Sequence, residues 1–259
     1  MTPAEILSSD LAEAAQQLRA RKEPFAFATI VRTAGPTAAK PGAKALLSSD
    51  GTILQGWLGG GCTRGAVKRA ALAALRDGTP QLVSVAPEDL LAERGISAGQ
   101  EVNGTRFARN GCPSRGTVDI FIEPCLPSPH LVVMGTSPVA QALGALAPQF
   151  HWSVTATLDG DVPDRQRYVV VATQGQGDLD ALAAALRGPA PYVAFVGSRR
   201  KYAALAEKLV AAGVAKDAVA RVHAPAGLDL GAVTPEEIAL SILAQLVQAR
   251  RAAVQPVGA

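Results

Sequence analysis

The first half of the chain changes between helical and strand-like spacing of its apolar residues. Apolar positions from Ile6 to Leu18 recur every three or four residues, which predicts a helix over residues 3–21. Asp50-Gly51 is typical of a hairpin turn between two short strands. We therefore expect an α+β arrangement with strands at 25–31, 44–48, 52–57, 81–85 and 118–122, and a helix from Cys62 to Leu75. Residues 86–117 have no clear assignment, apart from a turn at Asn110-Gly111-Cys112.

The second half alternates short apolar runs with helical segments, the pattern of a Rossmann-like parallel sheet. Expected strands cover residues 131–134, 153–158, 168–172, 192–196 and 219–222. We expect four helices: one that ends near Ala147, and three over residues 179–186, 201–212 and 234–250. The last of these begins with a capping box. Three prolines between Glu123 and His130 exclude a central strand there and predict a domain boundary. The fold class is thus α/β, with an N-terminal α+β domain over 1–125 and a Rossmann-like domain over 130–259.

Composition excludes several classes of function. A net charge of +3 is too small to indicate nucleic-acid binding. No apolar run reaches the roughly 18 residues of a membrane span, and the N-terminus is unlike a signal peptide. The three cysteines, Cys62, Cys112 and Cys125, lack CxxC spacing, which favours a reducing cytoplasm over a disulfide framework or a structural zinc site.

Gly59, Gly60 and Gly61 run directly into Cys62 at the start of a predicted helix. Glycines allow close approach to backbone amides, and a helix N-terminus attracts anions and lowers the pKa of a thiol. Arg64, Lys68 and Arg69 follow, while the preceding segment carries Arg32, Lys40 and Lys44. The loop is therefore a candidate anion site, although a tight turn beside a solvated basic face would show the same pattern.

The Rossmann-like half has weaker candidates for nucleotide binding. Gly135 occupies the first glycine position after the first strand, whereas Ser137 stands where a second glycine is expected. Asp159 follows the second strand, where a carboxylate can bind a ribose hydroxyl. Gly197, Ser198 and Arg199 form another small-residue turn with cations at a helix start. Ordinary βα turns and a solvated basic helix end are the structural alternatives.

Taken together, these motifs resemble the XdhC/CoxI family of accessory proteins for molybdenum hydroxylases. The resemblance rests on stretches in the same order along nearly the whole chain: Arg32–Gly35, Pro41–Ala43, Asp50-Gly51, Gly59–Cys62, Gly111-Cys112, Ile122–Pro124, Val133–Gly135, Val139–Ala142, Gly197–Lys201, His223–Gly231 and Thr234–Leu243.

The resemblance implies a cytoplasmic chaperone without turnover of its own. It would bind the molybdenum cofactor (molybdopterin, with the cytosine dinucleotide as one form), support its sulfuration and transfer it to an apo molybdenum hydroxylase. Implied partners also include a cysteine desulfurase or cofactor-synthesis proteins. For the cofactor we expect Gly59, Gly60, Gly61, Cys62, Arg64 and Cys112, with Cys62 at the metal, and for a nucleotide portion Gly135, Ser137, Asp159, Gly197, Ser198 and Arg199.

Several family positions differ here, including Thr63-Arg64 in place of a carboxylate after the cysteine. These differences suggest a divergent subgroup, with carbon monoxide dehydrogenase or a close relative as the favoured client. Two alternatives stay open. One is an NAD(P)-dependent oxidoreductase, for which His223 is the best-placed histidine at an expected strand end. The other is an adaptor whose last helix, 236–250, forms a homodimer face or packs on its own sheet.

Overall fold

The structure, a computed structural model, describes residues 3–113, 115–158, 167–188 and 190–252, with the backbone alone for residues 3–9 and Cys62. The chain divides into two compact units between Pro127 and Ser128. This division falls in the proline-rich segment, while the domain limits 1–125 and 130–259 stay predictions. Within the described residues, no helix is both long and apolar enough to cross a membrane.

The N-terminal unit is built on one mixed sheet. Within its described residues, seven strands lie in the order β3-β2-β1-β7-β4-β6-β5. Neighbouring strands are antiparallel except β4 and β6, which are parallel. The bounds are β1 Phe25–Ala34, β2 Lys44–Leu47, β3 Ile53–Gly56, β4 Gln81–Ala86, β5 Glu101–Val102, β6 Thr105–Arg109 and β7 Thr117–Cys125.

Two long helices, α1 (Pro3–Ala20) and α2 (Gly61–Asp77), cover opposite faces of this sheet, and a short α3 spans Glu88–Glu93. Side chains alternate along β1, so Ala26, Ala28 and Ile30 pack in the core beneath α2. Phe25 and Phe27 point the other way, into the cluster formed with Leu11, Ala15 and Leu18 of α1.

The connection β3–α2–β4 fixes where α2 begins. The pairing directions make β1, β3, β4 and β6 parallel to one another, although they are not all neighbours. A helix that crosses between parallel strands begins at their carboxyl ends. The glycine loop before α2 therefore lies at the same edge of the sheet as the segments after β1, β4 and β6. We call this edge the carboxyl edge.

The C-terminal unit contains a parallel sheet. In its described part four strands lie in the order β11-β10-β8-β9. Their bounds are β8 His130–Met134, β9 Ser153–Thr155, β10 Arg167–Val171 and β11 Tyr192–Phe195. The helices are α4 Pro138–Leu146, α5 Asp178–Ala185, α6 Arg199–Ala211, α7 Lys216–Ala220 and α8 Pro235–Ala252, with a 3-10 turn at Ala147–Phe150.

Helices cover both faces of this second sheet. Val133, Tyr168 and Ala194 pack in one core with residues of α4 and α8. Val132, Val169 and Val193 pack in another with residues of α5, α6 and α7. The α/β fold class with a Rossmann-like second half is confirmed. The capping box of α8 is also present, since the Glu237 amide donates to Thr234 Oγ1 (3.2 Å) and the Thr234 amide to Glu237 Oε2 (2.9 Å).

The expected strand at 219–222 is wrong. Residues Lys216–Ala220 form α7, and the chain meets β11 afterwards through a single bridge between His223 and Ala194. Ala218, Val219 and Val222 are all buried, and their spacing places them on one side of a helical turn. A short apolar run does not distinguish the two structures. The strand expected at 153–158 is also shorter, ending at Thr155.

The expectation that the prolines exclude a central strand is wrong for Pro124, which lies in β7 opposite Ala26. The proline is tolerated there because pairing of β7 with β4 ends at Ile122.

Candidate functional site

The glycine loop before α2 leaves backbone amides open. Gly59 has φ +117°, a conformation that favours glycine. Gly60 is the N-cap of α2 and makes no side-chain cap, and the first turn carries no acidic residue. A Cβ atom added at Gly60 or Gly61 would meet nothing within 4 Å. The backbone conformation therefore requires glycine only at position 59, whereas Gly60 and Gly61 are exposed and leave the start of the helix uncovered.

The two cysteines predicted to contact the cofactor lie on segments at the carboxyl edge. Cys62 belongs to the first turn of α2, while its side chain lies outside the described part of the structure. Cys112 comes three residues after β6, is exposed, and donates its amide to Asn110 Oδ1 at 3.0 Å. Among the described side chains, no group of three or more His, Cys, Asp or Glu residues is arranged to hold a metal ion. The metal role of Cys62 stays a prediction.

A groove of about 480 Å³ lies between the edge strand β3 and α2. Arg64, one of the predicted residues, lines it, and Lys68 lies one turn further along α2. Gly59, Gly60 and Gly61 are not among its lining residues. The groove is completed by Gly51, Thr52, Ile53, Gly56, Trp57 and Gly65. The described lining thus carries two cations, an indole ring and no acidic side chain.

The hairpin turn at Asp50-Gly51 shapes one end of this groove. A Cβ atom on Gly51, at φ +76°, would lie 3.0 Å from Lys68 Cγ and 3.1 Å from its carbonyl oxygen, so glycine lets the turn approach α2. Ser48 donates to Asp50 Oδ1, while Thr52 donates its amide (3.0 Å) and its hydroxyl (2.9 Å) to the same carboxylate. These hydrogen bonds, led by that from Ser48, lower the pKa of Asp50 to about 2.

In the C-terminal unit, Gly135 and Ser137 have structural roles. Gly135 has φ +115°, and an added Cβ atom would lie 2.5 Å from the carbonyl oxygen of Ala172. The Ser137 hydroxyl caps α4 by accepting from the amide of Ala140 at 3.1 Å. The turn therefore joins β8 to α4 and packs against the segment after β10. This point, where neighbouring strands are followed by helices on opposite faces, is where ligands bind in open parallel sheets.

The turn before α6 is similar. An added Cβ atom on Gly197 would overlap the Phe195 ring, and Ser198 caps α6 by accepting from the Lys201 amide at 3.2 Å. Arg199 is exposed in the first turn of α6. The structural alternative explains Gly197 and Ser198 without a ligand. Asp159 lies outside the described residues.

An ion pair between the buried Asp178 and the partly exposed Lys201, after the ends of β10 and β11, was missed from the sequence. Asp178, 6% exposed, accepts from Lys201 Nζ at 2.5 Å, from the Gly175 amide at 3.0 Å and from the Thr173 hydroxyl. Burial raises the pKa of Asp178, but these hydrogen bonds outweigh it, so its pKa lies below the ordinary value. The pair ties the start of α5 to the start of α6. A sequence separation of more than 20 residues hides it from pattern analysis.

The three histidines differ in their exposure and in their contacts. His223 is exposed on one side and stacks on Tyr192, with ring centroids 4.6 Å apart. The protein atoms around the ring remove part of its hydration, which lowers its pKa. His130 is buried in β8, with Nε2 3.0 Å from Thr155 Oγ1. His151 ends the 3-10 turn at φ +63°.

Comparison with known proteins gives matches in both units. The profile of the XdhC and CoxI family matches residues 18–86, and the XdhC Rossmann domain matches residues 131–246. The chain belongs to the XdhC and CoxI family. YqeB, an uncharacterized protein of Escherichia coli K12, is 29% identical over 270 residues, covering 91% of this chain and 45% of YqeB. The chain thus spans less than half the length of this relative.

A solved structure described as a xanthine dehydrogenase from Bacillus halodurans is 20% identical, with a TM-score of 0.41. The match covers 100% of this chain and 98% of that one. Similarity at this level supports no conclusion about function, so the family assignment rests on the two profiles.

In this XdhC/CoxI protein, three of the stretches that carried the resemblance, Arg32–Gly35, Gly59–Cys62 and Gly111-Cys112, lie at the carboxyl edge of the N-terminal unit. Two others, Asp50-Gly51 and Ile122–Pro124, lie at the opposite edge of the sheet. Arg32 lies near the end of β1, where its Nε donates to Asp119 Oδ2 at 2.6 Å. Asn110 Nδ2 donates to the carbonyl oxygen of Gly116, which fixes the turn that carries Cys112. With the glycine loop before α2, these segments all lie at the carboxyl edge. Stretches far apart in sequence are therefore brought to one edge by the strand directions.

Proposed function

We propose that this XdhC/CoxI family protein is a chaperone that binds the molybdenum cofactor and transfers it to an apo molybdenum hydroxylase of the xanthine dehydrogenase, aldehyde oxidoreductase or carbon monoxide dehydrogenase type. One observation carries the proposal most directly. The start of α2 is uncapped, glycine-lined and free of acidic residues, and it lies at the carboxyl edge of the sheet. This is the environment that an anionic cofactor needs.

The residues present fit such a cofactor. Amides at Gly60 and Gly61 can donate to a pterin phosphate, and Arg64, one turn further, can neutralise its charge. Cys62 and Cys112 supply thiols on segments at the same edge, suited to contact with a metal or its sulfur. When bound, the cofactor supplies redox chemistry to the client enzyme. The role of this chain is to bind it, orient it and limit its contact with water.

The proposal includes a cytoplasmic location and donor partners, namely a cysteine desulfurase or cofactor-synthesis proteins. The nicotinamide alternative has less support, because Gly135 and Ser137 are already explained by close packing and by capping. Titration with NADH and NADPH tests whether the protein binds them. Binding followed by hydride transfer to a substrate would favour an oxidoreductase over a chaperone.

Cofactor retention tests the proposal. The protein is purified from cells that synthesise molybdenum cofactor, and bound molybdenum and oxidised pterin are quantified per chain. We expect both to co-purify and to fall at least tenfold in Cys62→Ser. Cys125→Ser is the matched control, because Cys125 is half-buried at the end of β7 and packs with the α1 cluster. Equal retention in wild type and Cys62→Ser removes the thiol from the site, and no pterin in the wild type contradicts the proposal.

A further inference from the structure

We propose that the groove between β3 and α2 is a binding site for a phosphorylated planar heterocycle, with nucleoside phosphates as the chemical class. The inference goes beyond cofactor transfer, because the proposed ligand needs no metal and the proposed binding needs no cysteine in the groove.

Charge is the first reason. Arg64 and Lys68 line the groove one helical turn apart. Five other arginines of the N-terminal unit form ion pairs: Arg32 with Asp119, Arg76 with Asp77, Arg106 with Glu101, Arg109 with Glu88 and Arg115 with Asp89. Within the described part of the chain, neither Arg64 nor Lys68 has such a partner. The charge of Lys68 contributes to the lowered pKa of the nearby Asp50, but the two form no ion pair within the described residues, and the carboxylate already accepts hydrogen bonds from Ser48 and Thr52. Two cations on one wall are thus available to a phosphate.

An exposed tryptophan is the second reason. Trp57 is 44% exposed at the groove, although tryptophan side chains are usually largely buried. Ile53 adds a further apolar surface to the lining. An indole face next to cations suits a ligand with a planar ring and a phosphate, because an aromatic side chain can stack on any nucleic-acid base.

The third reason is Gly65, a glycine in the interior of α2. Glycine is unfavourable there relative to alanine. Packing does not explain it, because an added Cβ atom would meet only Arg69 Nη1, at 3.7 Å. Gly65 lines the groove, so its missing side chain leaves space there. A groove of about 480 Å³ lies within the range of small-ligand sites, roughly 300–1,000 Å³.

Intrinsic fluorescence tests the proposal, because the chain has two tryptophans and Trp152 is 3% exposed. Cytidine monophosphate and guanosine monophosphate are titrated into the full chain, with inorganic phosphate and cytidine as separate arms. We expect saturable quenching by the nucleotides that is absent in Trp57→Phe. Affinity should fall at least tenfold in Arg64→Gln/Lys68→Gln, while Arg76→Gln, on the last turn of the same helix, should bind as wild type.

Gly65→Leu gives an independent check, because leucine favours the helix but fills the groove. It should fold with an equal or higher midpoint of thermal unfolding and lose nucleotide binding. Equilibrium dialysis with labelled nucleotide replaces fluorescence for any variant whose emission changes on its own.

Three results would overturn the proposal: no saturable binding at millimolar nucleotide, unchanged affinity in the double variant, or equal affinity for inorganic phosphate. The outcome is separable from that of the proposed function. Nucleotide binding by a protein that retains no molybdenum or pterin supports the groove and contradicts the chaperone, whereas pterin retention without nucleotide binding does the reverse.

Discussion

Replacing Gly60 by aspartate separates a structural glycine loop from an anion-binding one. Gly60 is the N-cap of α2 at φ −73°, a conformation that aspartate adopts without strain, and an added Cβ atom meets nothing within 4 Å. The aspartate carboxylate can accept from amides of the first turn. It also places a negative charge at the positive end of the helix dipole. The substitution should therefore stabilise the fold while occupying the proposed phosphate position.

The expected gain is the sum of small terms. An aspartate cap exceeds a glycine cap by a few tenths of a kcal/mol, the dipole interaction adds about 0.3–1 kcal/mol, and loss of glycine freedom in the unfolded chain adds about 0.4–1 kcal/mol. Some overlap between these terms leaves about 1 kcal/mol. Thermal unfolding should show this as a midpoint raised by about 2–4 °C.

Cofactor retention should change in the opposite direction. Two like charges ~4 Å apart at an effective dielectric constant of about 20 repel by about 4 kcal/mol, and half of that value lowers affinity about thirtyfold. Gly60→Asn is the control, because asparagine caps the helix without the charge and should lose much less. If Gly60→Asp gains stability and retains the cofactor as wild type does, the three glycines are only a turn and the reasoning is refuted.

Further predictions concern stability. Gly135→Ala should destabilise the C-terminal unit by about 3–5 kcal/mol, because alanine is strained at this φ and its Cβ atom would overlap the backbone of Ala172. Gly144→Ala, where an added Cβ atom meets nothing within 4 Å, should raise the free energy of unfolding by about 0.5–1 kcal/mol. Urea unfolding measures both. Lys201→Gln should cost about 1–2 kcal/mol, discounted because Lys201 is 42% exposed, and should raise the pKa of Asp178, measurable by carboxyl NMR titration. The pKa of Asp50 is depressed to about 2, so its stabilising effect on the hairpin is complete above about pH 4 and is lost as pH falls towards 2; Asp50→Asn should remove that pH dependence from hairpin chemical shifts.

Local patterns predicted correctly the elements that contain a long periodic stretch of apolar residues or that adjoin a turn or cap with characteristic residues. Asp50-Gly51 gave the β2–β3 hairpin, and Thr234 with Glu237 gave the start of α8. Alternating strands and helices gave the parallel sheet of the second unit. The four-residue run 219–222 failed because a short buried helix and a short buried strand have the same apolar content.

The candidate sites depend on contacts that no local pattern contains. The glycine loop was found from its composition, but its position at the carboxyl edge follows from the pairing of β4 with β7 and of β1 with β2. The groove depends on Gly51 approaching Lys68, which belongs to another element. The residues 86–117 could not be assigned because β6 is held by parallel pairing with β4, over 20 residues earlier.

The direct test of the central claim is mass analysis of the small molecules released from native protein purified alongside its client enzyme. We predict a phosphorylated pterin with molybdenum, near one per chain, that is lost in Gly60→Asp and kept in Gly60→Asn. Protein that carries no pterin, or that carries the same amount in Gly60→Asp, would contradict an anionic cofactor at the start of α2.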